Sequence, residues 1–330
     1  VGVHLIYGLP LDTKEMFLSA APFLSRLGVQ GVKLHHFQVH AGSRMEDAFR
    51  SGAIRTPGYG EYLAACVDFL DRTGQLTRVK TEVDGRFELA GIAKRLEGGK
   101  PVLFERVKGS EYPVVTGLLW NRDIVGRLFG LPKEEVPFAI AKAIASWQKS
   151  PAALAGRLLK RAPANEIVES GVNLAGLPIP VHAIKDGGRY LDAAVVVARS
   201  PLTGAPNISI HRMMVTRKNR LTFLIDPGRH LGEYVEIMEK RNQPLPVTIN
   251  VGVGLAPWIA AALPRLGDFK NVVAHHLAGR AIDFVEARTV DVPAYADAQF
   301  VIEAEILPGL RETEAPFAEV GARLGLAEAE

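Results

Sequence analysis

Cysteine is almost missing from this sequence: Cys66 stands alone among 330 residues. One thiol cannot close a disulfide within the chain, nor hold zinc or an iron–sulfur cluster unaided. No run of eighteen apolar residues occurs, so a membrane-spanning helix is not expected. An excess of one charge is missing too, with 39 Lys and Arg against 36 Asp and Glu, a formal net charge of +3. The basic residues are scattered rather than blocked, which argues against a nucleic-acid partner. The opening VGVHLIYGLP lacks both an initiating Met and the basic start of a signal peptide, and reads as a chain entered within a strand. A soluble cytoplasmic protein is the expectation. What remains, 48% hydrophobic and 23% charged residues, is an ordinary globular composition, with length for two or three cored domains.

Periodicity places the elements. VGVHLIYGLP is a short strand, after which Asp12 or Thr13 caps a helix. Met16, Phe17, Ala20, Phe23, Leu24 and Leu27 form its apolar face and Gly28 closes it. GVKLHHF is a second strand, so residues 1–40 make one strand–helix–strand unit of a parallel sheet, which leaves edges and a face to be covered. His35, His36 and His40 invite a metal reading, but neighbours in a strand point to opposite faces, and surface or structural histidines are the plainer account. RFELAGIAKRLEGG predicts a helix with Leu89, Ile92, Ala93 and Leu96 apolar, ended by Gly98 and Gly99. PVLFERV and YPVVTGLLW are strands about a Lys-Gly-Ser turn, and LPKEEVPFAIAKAIASWQ is an amphipathic helix. From about residue 185 the pattern turns to β: LDAAVVVARS, NISIHRMMVT, RLTFLID and PVTINVGVG. One helix, HLGEYVEIMEKRN, interrupts them, with Leu231, Tyr234 and Met238 on one side.

The chemistry concentrates between Asp186 and His230, in DGGRY, SPLTGAPNISIHR and IDPGRH. Asn207 and Ser209 alternate with Ile208 and Ile210, so both polar side chains face one way on a strand. Arg212 has the opposite parity unless a bulge re-aims it. An amide and a hydroxyl suit a cofactor phosphate or a divalent cation. His230 offers a nitrogen ligand at a strand-to-helix turn, with a helix N-terminus that favours anions following it. Glu314 and Glu319, in EAPFAE, could complete an acid–base site. The alternative is a solvated sheet face with a histidine capping a helix.

Two resemblances extend this reading. HLIYGLPLDTKEMFLSAAPFLSRLGVQGVKLHHFQVHAGSRMEDAFRSG, within residues 1–70, resembles the later strands of a radical-SAM barrel protein of the YhcC-like type. That chemistry needs three cysteines, which would lie upstream of Val1. Cys66, in the apolar stretch YLAACVDFL, does not replace them, so this part implies scaffold only.

From about Asp68 to Val320 the chain resembles the UbiD-type decarboxylases, the carboxy-lyases that use prenylated FMN. The motifs are VDGRFELAGIAKRLEGG, FERVKGSEYPVVTGLLWNR, DGGRYLDAAVVVARSPLTGAPNISIHRMMV, GRHLGEYV and EAPFAE, in the family's order. The two resemblances meet at VDFLDRT, which implies a joint between two coding segments.

The fold class implied is α/β plus β: a partial βαβ barrel fragment (1–70), an N-terminal α/β domain (71–180) and a split β-barrel flavin-binding domain (181–305). The truncated start of a C-terminal domain (306–330) follows. The resemblance implies reversible, non-oxidative decarboxylation of an aromatic, heteroaromatic or α,β-unsaturated carboxylic acid; the alternative is a truncated or fused fragment that binds flavin and metal without turnover. By position, Asn207 and His230 match the family's metal ligands. Ser209, Ile210, His211, Arg212 and Arg229 join them around the cofactor, and Arg212, Glu314 and Glu319 match the catalytic set. Glu319 takes the proton-donor role and Glu314 supports it. Mn2+ is the implied metal, with K+ a second cation the resemblance allows, and a flavin prenyltransferase is the implied supplier of cofactor. The family forms homo-oligomers, but the region that builds them is expected to be missing beyond GARLGLAEAE. A segment this close to the end gives Glu314 and Glu319 little to hold them. One departure concerns the third metal ligand, a glutamate in the family: DFKNVVAHHLAGRA has none, leaving Asn271, His275 or His276 as substitutes.

Overall fold

The computed structural model describes residues 2–7, 13–26, 31–36, 67–68, 70–72, 74–117, 125–126, 129, 131–147, 156–263 and 270–317. Strands β1 (Gly2–Tyr7) and β2 (Gly31–His36) pair in parallel, joined by helix α1 (Lys14–Arg26). A parallel pair needs such a crossover, and the strand–helix–strand unit is as the sequence predicts. Thr13 Oγ1 accepts the Met16 amide at 3.2 Å, capping α1. Its buried stripe is Phe17, Leu18, Ala21 and Leu24, whereas Met16 and Phe23 are more than half exposed. The expected face is thus rotated, because this helix carries apolar residues on more than one side and packing chooses among them.

Strands β3 (Thr77–Val79), β4 (Val102–Phe104) and β5 (Val114–Thr116) form a small sheet in that order, with helix α2 (Glu88–Arg95) against it. Leu89 is buried and Ile92 and Ala93 pack on Val83, Val102, Phe104 and Val107. Leu96 falls just past the helix and is exposed, contrary to the predicted face. The turn between β4 and β5 needs Gly109 at φ 78, a left-handed conformation that favours glycine. Helix α3 (Val136–Trp147) comes next.

The remaining strands are β6 (Arg157–Leu159), β7 (Tyr190–Leu191), β8 (Val195–Arg199), β9 (Pro206–Ile210), β10 (Met213–Arg217) and β11 (Arg220–Phe223). After helix α4 (His230–Lys240) come β12 (Leu245–Val251), α5 (Leu255–Ala262) and α6 (Lys270–Ala278). Then come β13 (Asp283–Glu286), β14 (Pro293–Tyr295) and β15 (Phe300–Ile306). An antiparallel sheet ordered β15-β12-β8-β9 lies at the centre, with β15 and β9 at its edges. Val195, Val197 and Ile208 face a first core with Ala260, Val273, Phe284 and Tyr295. Val196 and Ala198 face a second core with Met213, Leu231, Tyr234, Val247 and Ile249. Burying each of these valines contributes about 1.5–3 kcal/mol, and burial on both faces explains why VVVA shows no polar alternation.

The second core is also lined by Leu221 and Phe223 of β11, from a three-stranded sheet ordered β11-β10-β7. Between β9 and β10 the chain crosses from one sheet to the other through only His211 and Arg212. Among the described residues no strand pairing closes one sheet onto the other, so the expected barrel is here a pair of open sheets about one core within a mixed α/β fold. A third sheet, β14-β13-β6, pairs β6 in parallel with β13, fastened by Arg157 and Asp283 at 2.9 and 3.1 Å. Among the described residues no helix is long and apolar enough to cross a membrane.

Candidate functional site

Four stretches converge where the two open sheets meet: the end of β9, the loop before β7, the start of α4 and the segment after β15. Asn207 and Ser209 lie opposite Ala198 and Val196, so both face the second core, as their alternation predicts. Ile210 lies opposite Val195 and packs against the first core. Asn207 is 5% exposed; its Nδ2 reaches the Tyr234 hydroxyl at 3.5 Å, while its Oδ1 is buried with no hydrogen-bond partner. Leaving such an acceptor unpaired costs about 1–3 kcal/mol, which marks a position shaped for a donor or a cation. His230 is the first residue of α4, and its ring lies parallel to Tyr234 one turn on, with centroids 6.3 Å apart. Tyr234 therefore ties Asn207 to His230. In sequence it reads only as part of an apolar helix face; the available signal was that a buried tyrosine hydroxyl must find a partner.

His211 is buried between Ser209 and Leu224. Its Nδ1 lies 3.0 Å from the Leu224 carbonyl and its Nε2 2.9 Å from Ser209 Oγ. A carbonyl only accepts, so Nδ1 carries the proton and Nε2 accepts the Ser209 hydroxyl. Burial holds the imidazole below its ordinary pKa, and the charges of Arg229 and Lys270 lower it further, against the Leu224 carbonyl. With its one proton committed to His211, Ser209 turns only lone pairs to the site. That suits a cation or a donor group, and narrows the expectation that its hydroxyl would serve a phosphate.

Arg212 resolves its parity without a bulge. Strand β9 ends at Ile210 and β10 begins at Met213, so Arg212 sits at the crossing. Its guanidinium grips Glu314 in two places, Nε to Oε1 at 2.8 Å and an Nη to Oε2 at 2.9 Å, and lies 5.7 Å from the Phe317 ring centre. A planar fork on a partly buried carboxylate fixes its orientation. Contrary to expectation, the segment bearing Glu314 is well held. The Tyr190 hydroxyl donates to the Ala315 carbonyl at 2.6 Å and the Gly187 amide to the Pro316 carbonyl at 2.8 Å. Asp186, by contrast, folds onto its own loop, its carboxylate accepting the amides of His182 and Ala183.

Arg229 precedes α4 at the surface, paired with Asp226 at 3.0 Å. Lys270, which no pattern in the sequence marks out, is buried, with Nζ donating to the carbonyls of Leu263 at 2.9 Å and Ala261 at 3.4 Å. Burial brings its pKa down to about 8, aided by the charge of Arg229. Of the three substitutes for a third metal ligand, Asn271 has its Oδ1 occupied, accepting the Tyr295 hydroxyl at 2.7 Å. His275 keeps a buried Nδ1 without a partner, its pKa lowered by burial and then by neighbouring His276. Among the described residues no three His, Cys, Asp or Glu side chains gather as a metal site. The oxygen of Asn207 and the imidazole of His230 nonetheless fit a divalent cation by donor type. Glu319, His40 and Cys66 lie outside the described residues. On the far side of the DGGRY loop, Gly188 and Arg189 line a cavity of about 330 Å3 with Arg86, Lys108 and Ile179.

Comparison with known proteins matches residues 157–326 to the 3-octaprenyl-4-hydroxybenzoate carboxy-lyase Rift-related domain. Residues 67–144 match the N-terminal domain of the same carboxy-lyase. A protein from the cooM 5' region of Rhodospirillum rubrum is 43% identical over 263 residues, 78% of this chain and 56% of that protein. The anhydromevalonate phosphate decarboxylase of Methanothermobacter thermautotrophicus is 32% identical over 77% of this chain and 58% of its own length. Among solved structures, the UbiD-class enzyme HmfF of Pelotomaculum thermopropionicum, in complex with FMN, is similar with a TM-score of 0.71. Its sequence identity is 39%, covering 80% of this chain and 58% of HmfF. The chain thus spans less than two thirds of the length of each.

Proposed function

The chain belongs to the UbiD family of carboxy-lyases, and from that membership we propose that it carries out reversible, non-oxidative decarboxylation of an aromatic, heteroaromatic or α,β-unsaturated carboxylic acid with prenylated FMN. The observation that carries the proposal is the bidentate Arg212–Glu314 pair at the crossing that follows β9, the strand that holds the buried, unpaired Asn207 Oδ1. Prenylated FMN supplies the electron sink that a departing carboxylate needs and that no side chain provides. Asn207 and His230 would hold a divalent metal such as Mn2+. Ser209, Ile210, His211, Arg212 and Arg229 would surround the cofactor. Arg212 orients carboxylates at the crossing between the two sheets, with Glu314 fixed against it. After carbon dioxide leaves, an acid must return a proton to carbon, the role proposed for Glu319.

The two open sheets about one core support reading residues 181–305 as a split-barrel cofactor domain, after an α/β domain at 71–180 and before a further segment at 306–330. A flavin prenyltransferase is the proposed source of cofactor, and a homo-oligomer the proposed assembly. The radical-SAM resemblance of residues 1–70 is a proposal about scaffold, supported by the parallel β1–α1–β2 unit.

The test is co-expression with a flavin prenyltransferase, then an absorbance spectrum and carbon dioxide release from candidate acids. Bound flavin and turnover are expected, with Glu319→Gln slowing the reaction about 10²–10⁴-fold. Protein that never binds flavin overturns the proposal. Bound flavin without turnover leaves the alternative, a flavin- and metal-binding unit, and an unchanged rate in Glu319→Gln removes that residue as proton donor.

A further inference from the structure

The DGGRY loop takes no part in the cofactor and acid–base roles above, yet it grips the acid-bearing segment. Residues 312–317 have no regular secondary structure, so their backbone groups depend on partners elsewhere. Two of those partners come from this loop. The Tyr190 hydroxyl donates to the Ala315 carbonyl at 2.6 Å, and the Gly187 amide donates to the Pro316 carbonyl at 2.8 Å. Tyr190 is 1% exposed and lays its ring against Phe317, centroids 4.6 Å apart, while Arg212 sits over the same Phe317. The approach leaves no room for a side chain at position 187: a Cβ there would lie 1.9 Å from Ala315 Cβ.

The geometry points to Tyr190 as a positioning residue, which with Gly187 clamps Ala315 to Phe317 and so sets Glu314 against Arg212. Burial, then the charge of Glu314, raises the Tyr190 pKa, so the hydroxyl remains a donor over the working pH range. A carboxylate on an irregular segment loses catalytic effect if it wanders by an ångström, so a rigid strand and a rigid ring make a suitable seat. The catalytic consequence rests on the proposed function; the clamp itself does not.

Tyr190→Phe keeps the ring and removes the hydroxyl, and Gly187→Ala wedges the loop from the segment. Amide hydrogen exchange on the flavin-free chain reads the clamp directly, because the Gly187 amide is one of its bonds. Exchange at Gly187 is expected to quicken about tenfold or more in Tyr190→Phe, with β12 amides unchanged. In the flavin-loaded enzyme, kcat should fall about tenfold with KM and flavin affinity unaltered. Unchanged exchange at Gly187, or equal loss of protection in β12, overturns the clamp. Quickened exchange with an unaltered kcat overturns its positioning role. If the wild-type chain shows no decarboxylation, the proposed function fails while the exchange result still decides the clamp.

Discussion

Single side chains in this protein are set by what their neighbours can donate or accept. Ser209 was legible in the sequence as polar and facing the site; its character as an acceptor was not, because that depends on the Leu224 carbonyl, which fixes the imidazole of His211. Lys270 was illegible for the same reason: its two carbonyl partners follow from where α5 ends. Its pKa falls from the ordinary 10.5 to about 8, so between those values the unfolded chain binds more protons than the folded one. Stability should then rise with pH through that window, and the full cost of the buried charge should be present below it. Lys270→Met should raise the unfolding free energy at pH 7 by up to roughly 3 kcal/mol, less the two lost hydrogen bonds, and flatten the alkaline slope. Urea titrations at pH 7 to 10 check this; a less stable variant with the slope intact would contradict it.

Elements were readable where one face is buried and ambiguous where two are. Helix α2 and the parallel β1–α1–β2 unit follow from their patterns, while α1 turned its stripe because Met16 and Phe23 are apolar yet exposed. The Asn207 and Ser209 alternation held because β9 is regular, and Arg212 escaped it because the strand stops two residues earlier. Helix α4 carries a constraint that no periodicity reveals. A Cβ on Gly232 would come 2.4 Å from the Asp226 carbonyl oxygen and 2.8 Å from Pro227 Cα, so the IDPGRH turn lies directly on the first turn of the helix. Alanine is the better helix former by about 0.8–1.0 kcal/mol. Even so, Gly232→Ala should destabilise by about 1–3 kcal/mol, because backbone rather than a pliable side chain blocks it. Chemical denaturation gives the sign at once, and a stabilised variant would show that the turn yields. His230, two residues earlier, should shift with it, so FMN affinity is expected to drop in the same variant.

For the whole molecule, the matched family domains begin at residue 67, and the described link between the β1–α1–β2 unit and those domains is thin. Lys14 meets Asp68 at 2.5 Å, a pair with both side chains about two-fifths exposed. Such a surface pair contributes about 0–1 kcal/mol. Removing residues 1–66 should therefore leave the unfolding midpoint within about 4 °C and FMN affinity within about twofold. A collapse of either would show the first unit to be integral to the fold of the matched domains. The placement of Asn207 and Ser209 has a consequence for handling the protein as well. Strand β9 ends its sheet, so among the described residues one side of its backbone lacks a strand partner. Bare strand edges recruit other strands. Here, however, helices α5 and α6 pack against β9, and Asn207 and Ile208 are buried, so the strand is sheltered and protein purified without ligand should not self-associate through it as concentration rises.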